Sequence, residues 1–450
     1  MGVIQSAEQP LSQILEAAED ASPLQAVEAV TDALARALGA EAAFFLITDV
    51  SGRGLVRLSH VLPGERVAES SNGDDPLNGT GVSRLDAEER GVELPFDGGP
   101  AEEALRTQTV QVVPPTLWDA PDDEPGTWLV LAPVTERGEA LGLLQLSLPG
   151  EPDAAVLSQI SQISSMLAFV VIANRRHTDL FEWGQRSTLF TLPAEIQRRL
   201  LPAAFTCEAG AFALSAWLEP AASVGGDTFD YSLARDVLHL SVTDAMGHGV
   251  ASALTATLCV GSLRNTRRAG GSLVEQATAA NLALHERASS TGTEEFATGL
   301  LGRLDLRTGT LALVNAGHVP FYLCRAGRVG PVFLPVDLPF GIFPGTVYRG
   351  TDLPLEPGDR LVLITDGMLE RNAATLDMID EMSRSRGLHP REATRRLTDK
   401  VLETSGPNLS DDATMLVLDW FGGHGAARAT VAGADPRLAS PAAPRPQGAR

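Results

Sequence analysis

The sequence predicts an α+β protein of more than one domain, and three observations predict it. At 450 residues the chain exceeds the ordinary size of a single hydrophobic core. Its texture changes near residue 205, from short strands, helices and polar loops to longer apolar strands alternating with helices. Its charge is uneven: residues 1–180 carry 28 acidic and 10 basic side chains against 29 and 25 in the remaining 270, so nearly all of the net −22 lies in the first half. That excess of acid argues against a nucleic-acid binder or a protein drawn to an anionic membrane.

Residues 1–20 read as a lead-in. Apolar spacing predicts a helix over 26–38, then a strand over 42–47 and a turn at Asp49-Val50-Ser51-Gly52. A stretch rich in Gly, Asp, Asn and Pro over 63–100 reads as loop. A helix over 101–106, a strand over 109–113 and an acidic loop from Asp119 to Glu124 follow. Strands over 128–133 and 140–147 flank the turn Glu136-Arg137-Gly138-Glu139, and a long helix begins near Asp153. This order suits an antiparallel sheet with helices packed on one face. In element order, and in the strand Leu129-Val130-Leu131-Ala132-Pro133-Val134 with its successor Gly142-Leu143-Leu144-Gln145-Leu146, residues 21–178 resemble a GAF domain, a sensor module. The resemblance implies a small-molecule ligand. A thioether-linked bilin is excluded, because no cysteine lies in this half; a packing domain without a ligand is the alternative.

The three cysteines, Cys207, Cys259 and Cys324, form no CxxC and no short pairing pattern, which points to a reducing cytoplasm. No secretory leader is recognisable. The longest lipid-like run, 166–173, falls short of the ~20 residues that span a bilayer. Met1-Gly2-Val3-Ile4-Gln5-Ser6 fits the loose myristoylation pattern, but no polybasic second anchor follows. The expectation is a protein without a membrane or nucleic-acid partner.

Ile160, Ile163, Leu167 and Val170 repeat at 3-4-3 spacing, Asn174 takes the next a position and Phe181 lies one heptad on. A short parallel coiled coil with a polar a residue would pair two chains into a homodimer. The other reading is a terminal helix packed on its own sheet. In the linker 179–204, Pro193 breaks the pattern and a short helix over 194–201 ends at Pro202. Its Ile196, Leu200 and Leu201 share one face and are candidates for a regulatory contact with the domain that follows.

From 205 to 421, strand-like runs cover 212–217, 237–243, 298–305, 310–315, 360–365 and 414–419, and helical runs cover 249–268, 273–288, 375–386 and 391–404. Residues 422–450, rich in Ala, Gly, Pro and Arg without periodicity, read as a disordered tail. Carboxylates stand at the strand ends: Asp227 after two glycines, Asp244 before Ala245-Met246-Gly247-His248-Gly249, Asp366 before Gly367, and Asp411-Asp412 before a strand. Singly, each fits turn or capping chemistry. Together they would repel one another unless divalent cations reversed the cost, and an all-oxygen set suits Mg²⁺ or Mn²⁺ rather than zinc.

These motifs, with Asn315-Ala316-Gly317-His318 and Ser410-Asp411-Asp412-Ala413-Thr414, resemble the SpoIIE/RsbU branch of the PPM metal-dependent Ser/Thr phosphatases, in the family's order across nearly the whole second half. The resemblance implies an α/β sandwich of two mainly antiparallel sheets faced by helices, with two Mn²⁺ or Mg²⁺ ions. It implies that Asp244 bridges the metals, that the Ala245 carbonyl binds one, that Asp366 and Asp411 hold the other, and that Asp227 is the additional acidic position. Asp412 is the alternative to Asp411. Ala245 departs from the family's more usual Asp-Gly, which leaves a backbone carbonyl ligand in place. Two ions ~4 Å apart lower the pKa of a shared water and neutralise phosphoryl oxygens, so no side-chain nucleophile is needed. His248 and His318 read as structural. The branch implies a phosphorylated STAS-domain anti-anti-sigma factor as substrate in a bacterial partner-switching pathway. The alternatives are a non-enzymatic sensor-scaffold and a phosphatase of other phosphoproteins or small phosphoesters. Gly225-Gly226-Asp227 also resembles a diguanylate cyclase signature, but Thr228-Phe229 do not continue it and the other acidic motifs would go unexplained.

Overall fold

The computed structural model describes residues 9–49, 54–60, 81–83, 89–96, 98–117, 126–185, 191–219, 225–370, 378–405 and 412–423. The expected turn residues Val50-Ser51-Gly52, the acidic loop from Asp119 to Glu124, the myristoylation pattern and the tail beyond Gly423 lie outside them. The chain forms two compact units, the first running to Leu189 and the second from Phe190 to Ala427.

The first unit contains α1 (Gln9–Asp20), α2 (Ala26–Leu38), β1 (Ala42–Thr48), β2 (Gly54–His60), β3 (Gly81–Ser83), β4 (Glu89–Pro95), α3 (Pro100–Thr107), β5 (Gln111–Val113), β6 (Trp128–Glu136), β7 (Glu139–Leu148), α4 (Ala154–Asn174) and α5 (Leu180–Gly184). Its strands form one antiparallel sheet in the order β3-β4-β2-β1-β7-β6-β5. Period-two alternation divides their side chains between two cores. Ile47, Val130, Ala132, Val134, Leu144 and Leu146 pack with α2 and α4, while Leu46, Leu55, Leu131 and Leu143 pack with Ala104 and Leu105 of α3. Helices thus cover both faces, not one. Part of the expected lead-in is α1, whose Ile14 enters the first core. The Gly- and Asp-rich stretch 63–100 holds β3 and β4, whose low apolar content hides them from a hydrophobic pattern.

Helix α4 begins where the Asp153 side chain accepts hydrogen bonds from the backbone N–H groups of Ala155 and Val156, both at 2.9 Å. Ala154–His177 is apolar and long enough to cross a membrane by length and composition, a longer stretch than the run read from sequence. Ile160, Ile163 and Leu167 are fully buried against their own sheet. The 3-4-3 spacing therefore marks the face packed on the sheet, and these residues form no seam for a second chain.

The second unit contains α6 (Leu192–Leu200), β8 (Thr206–Glu208), β9 (Phe212–Glu219), β10 (Thr228–Leu233), β11 (Val237–Ala245), α7 (Val250–Arg268), α8 (Leu273–Thr291), β12 (Ala297–Asp305), β13 (Thr310–Ala316), β14 (Phe321–Arg325), β15 (Arg328–Val332), β16 (Thr351–Pro354), β17 (Arg360–Ile364), α9 (Gly367–Glu370), α10 (Met378–Ser385), α11 (Pro390–Ser405) and β18 (Ala413–Trp420). Two antiparallel sheets, β10-β11-β12-β13-β16 and β15-β14-β17-β18-β9-β8, face each other. Phe212, Leu214, Leu240, Val242, Leu300, Leu313, Leu361, Leu363, Leu416 and Leu418 fill the space between them. Helices α7 and α8 cover the outer face of the first sheet through Cys259, Leu263, Ala277 and Leu284 on Leu301 and Val314. Helices α10 and α11 cover the second through Met382, Leu397 and Val401 on Val362, Met415 and Val417. The unit is the expected sandwich of two sheets between two helical layers.

Pro193 opens α6 instead of interrupting a helix: it lies in the first turn, where a missing N–H costs nothing, behind the N-cap Thr191. Leu200 packs on the α7/α8 core and Leu201 is buried between the sheets, whereas Ile196 is half-buried. The helix read as linker is thus part of the second unit.

Candidate active site

Three strand connections meet at one end of this sandwich. The first carries Asp227 into β10, which pairs with β11 so that Thr228 lies opposite Thr243 and their hydroxyls hydrogen-bond at 2.5 Å. Asp244 is the penultimate residue of β11 and is half-buried, with Thr298 of β12 opposite it. Gly247 and Gly249 then take φ of +88° and +80°, a backbone that L side chains rarely adopt, and turn the chain into α7. His248 between them is exposed.

The second connection follows β17. Asp366 is exposed, and its carbonyl accepts from Leu369 N–H at 2.7 Å in the first turn of α9. Thr365, fully buried, donates its hydroxyl to Asp227 Oδ2 at 2.7 Å and accepts from Thr414 N–H at 3.0 Å. One hydroxyl thereby ties the aspartate that enters the first sheet to the ends of β17 and β18 in the second. The third connection enters β18 at Asp412, which is 2% exposed. Its Oδ1 accepts from Gly225 N–H at 3.0 Å and its Oδ2 from Gln197 Nε2 at 2.7 Å. Asp411 lies outside the described residues.

Burial raises the pKa of Asp227 well above the carboxylate range, the Asp244 and Asp412 carboxylates raise it further, and the Thr365 hydroxyl works the other way. A divalent cation would reverse that repulsion, and every candidate donor is oxygen, which fits Mn²⁺ or Mg²⁺. Among the described residues, no three carboxylate, imidazole or thiol side chains converge tightly enough to enclose an ion by themselves.

Ala245 does not strain the motif, since it is absent from the residues with positive φ. Its space comes from Gly226, whose carbonyl accepts from Ala245 N–H at 3.2 Å. A Cβ added at Gly226 would lie 2.2 Å from the Ala245 carbonyl oxygen and 2.6 Å from its methyl. Both neighbours are fixed in a strand, so Gly226→Ala is expected to cost about 1–3 kcal/mol in urea unfolding and to displace that carbonyl. Unchanged stability of the variant would show that the approach is looser than described.

His318 pins the two sheets beneath these loops. Asn315 Oδ1 accepts from His318 N–H at 2.7 Å and Asn315 Nδ2 donates to the His318 carbonyl at 3.0 Å. The ring lies between Thr298 Oγ1, 3.0 Å from Nδ1, and the Ile364 carbonyl, 3.1 Å from Nε2. A carbonyl only accepts, so Nε2 carries the proton and Nδ1 accepts from the threonine. Burial lowers this imidazole to about 4, so it stays neutral near pH 7. Thr298 of β12 faces Asp244 of β11 across the ladder and Ile364 ends β17 just before Thr365-Asp366, so His318 ties the strand beside Asp244 to the end of β17 and has no ring nitrogen free for proton transfer.

Of the residues expected from sequence, Asp227 and Asp244 thus lie within electrostatic reach of each other, and the Ala245 carbonyl adjoins the Gly226-Asp227 connection. Asp366 occupies the neighbouring loop. In the sequence Thr365 stands out only as the first residue of the motif Thr365-Asp366-Gly367 and Gln197 not at all: a threonine after a strand and a glutamine in a short charged helix carry no signal of the contacts they make.

Residues 234–421 match the family model described as Stage II sporulation protein E (SpoIIE). Over 206 residues the chain is 25% identical to Protein IcfG of Synechocystis sp., covering 40% of this chain and 32% of that protein. Among solved structures, the RsbU and RsbW domains of Rv1364c from Mycobacterium tuberculosis align at 26% identity and a TM-score of 0.43, over 52% of this chain and 64% of that one. The SiaA-PP2C domain of Pseudomonas aeruginosa aligns at 24% identity and a TM-score of 0.43, over 50% and 93%. The chain spans about a third of the length of IcfG and less than two thirds of the Rv1364c chain.

Proposed function

We propose that this protein is a divalent-metal-dependent phosphatase of phosphoserine or phosphothreonine in a protein substrate, a reading supported by the match of residues 234–421 to the Stage II sporulation protein E (SpoIIE) family model. The observation that carries the reading is a buried aspartate, Asp227, crowded by Asp244 and Asp412 at the end of a two-sheet sandwich. Asp227, Asp244, the Ala245 carbonyl, Asp366 and Asp411 would hold two Mn²⁺ or Mg²⁺ ions. Bound there, the ions supply an activated water and neutralise phosphoryl oxygens. The chain's own work is to assemble like charges against their repulsion, through Thr365 on Asp227, Gly225 N–H on Asp412 and His318 across the strands.

The branch of the family that the motifs resemble supports a phosphorylated STAS-domain anti-anti-sigma factor as the substrate. The first unit is a GAF-like sensor in this reading, taking a small molecule and acting on the second unit through α6 in the cytoplasm. The test has two arms. Hydrolysis of p-nitrophenyl phosphate is expected to require Mn²⁺ or Mg²⁺ and to vanish with chelator; full activity in excess EDTA would overturn the metal mechanism. Phosphate release from phosphorylated STAS proteins is expected to exceed that from a generic phosphopeptide, and equal rates would remove the STAS specificity while leaving the phosphatase.

A further inference from the structure

In the first sheet of the second unit, one row of directly opposed residues crosses three strands: Ser232 of β10, His239 of β11 and Arg303 of β12. Their chain neighbours Leu238, Leu240 and Leu304 point into the sandwich, so alternation turns this row to the outer face, the side that α7 and α8 cover. All three residues are half-buried, and among the described residues none of their side chains makes a hydrogen bond or an ion pair. His239 Nδ1 is buried without a partner. Burial, and then the guanidiniums of Arg267 and Arg303, lower this imidazole to about 4, so it stays neutral near pH 7. Arg267, in the last turn of α7, approaches Asp230 at 3.0 Å, and Arg264 holds the same carboxylate at 2.8 Å. Asp305, two places beyond Arg303 on the same face, turns its Oδ1 to the backbone N–H groups of Arg307 and Thr308. In a chain of net charge −22, three guanidiniums here share one carboxylate.

We propose that this row is a binding site for a phosphoryl oxyanion, held by the Arg303 guanidinium, by the N–H groups of Arg267 that Asp230 does not use, and by the His239 and Ser232 side chains. Adjacent strands lie ~4.8 Å apart, so the three side chains of the row span about 10 Å and can close on one anion. A planar guanidinium fork matches two oxygens of a phosphate or a carboxylate. A carboxylate would be used up by the fork alone, whereas a tetrahedral oxyanion has oxygens left for the neighbouring strands. The neutral imidazole can donate from Nδ1 without adding to the repulsion between the two guanidiniums. A bound anion would also relieve the cost of a half-buried cation that has no counter-charge beside it. His239 precedes Asp244 by five residues on β11, roughly 16 Å along the strand, so the row is separate from the acidic cluster.

The experiment uses the full chain in EDTA at fixed ionic strength, where the acidic cluster has no cation to attract phosphate, and inorganic phosphate as the probe. Isothermal titration is expected to show one saturable site on wild type, and thermal unfolding should shift upward with phosphate. Arg303→Gln should weaken phosphate by about tenfold or more, the worth of a hydrogen bond to a charged group. Its unfolding temperature without phosphate should equal or exceed that of wild type, because Arg303 has no partner to lose. His239→Phe keeps a ring and removes both nitrogens; it serves where the Arg303 variant does not fold, and should weaken phosphate by about threefold or more. O-phosphoserine, titrated in the same way, separates the sources of the anion. Binding of both probes admits a phosphoryl group carried on a side chain, and binding of inorganic phosphate alone restricts the site to the free ion. No saturable binding of either probe to wild type, or equal binding by wild type and both variants, would overturn the site. With the metal removed throughout, the result does not depend on whether the chain is a phosphatase.

Discussion

Asp244→Asn and Asp366→Asn are each expected to lower metal-dependent phosphate release by at least ~100-fold, equivalent to about 2.7 kcal/mol of transition-state stabilisation. Asparagine keeps the shape of the side chain and removes its charge, so the loss measures what the anion does for a bound cation. The stability effects of the two changes should differ. Asp244 is one of the two carboxylates that raise the pKa of buried Asp227. Removing its charge relieves that repulsion, so Asp244→Asn should unfold in EDTA at the same temperature as wild type or higher. Asp366 is exposed and its role in α9 is made by its backbone carbonyl, so Asp366→Asn should leave the EDTA midpoint unchanged. Activity that falls while stability holds or rises is the signature of a site assembled against its own electrostatics. Either variant retaining more than about a tenth of the wild-type rate at saturating Mn²⁺ would remove that residue from the centre, since loss of a charged metal ligand costs far more than this.

The sandwich was legible because its central strands are apolar on both sides. The strands β11, β12, β17 and β18 are buried through most of their length, so they read as continuous hydrophobic runs, and the carboxylates at their ends stand out by contrast. The short flanking strands were not legible. β15 and β16 carry exposed positions and a proline each, β14 is half-buried at three of its five positions, and the pairings of β14 with β17 and of β16 with β13 join segments distant in sequence. The helix α4 shows a different limit. Heptad spacing and a core-facing stripe are the same pattern over three turns, so Ile160, Ile163 and Leu167 could not reveal from sequence whether a sheet or a second chain covers them. In α6 the apolar residues marked the helix but the polar one touches the site. Gln197 meets Asp412 across 215 residues of sequence, and nothing in the local pattern of a short charged helix singles it out.

Arg264→Ala tests whether α6 is held in its docked position by a dedicated anchor. Arg264, on α7, places Nε and Nη2 on the two oxygens of Asp230 at 3.1 and 2.8 Å, and Nη2 also donates to the Leu200 carbonyl at 2.5 Å. That carbonyl lies in the last turn of α6, where it has no partner within the helix. Asp230 is 6% exposed and also receives Arg267 at 3.0 Å, so removing Arg264 leaves the carboxylate paired once instead of stranded. The expected cost is accordingly below that of a fully broken buried pair, about 2 kcal/mol in urea unfolding. Hydrogen exchange across residues 192–200 should rise with it, because the end of α6 loses its tie to α7. Arg264→Lys separates the two functions of the guanidinium. An ammonium can stay on Asp230 but cannot reproduce the planar fork that also reaches Leu200. Lysine is therefore expected to recover most of the lost stability while α6 still exchanges faster than in wild type. If α6 exchanges at the wild-type rate in Arg264→Lys, the helix is held by Leu200 and Leu201 alone, and the anchor plays no part in keeping Gln197 on the acidic cluster.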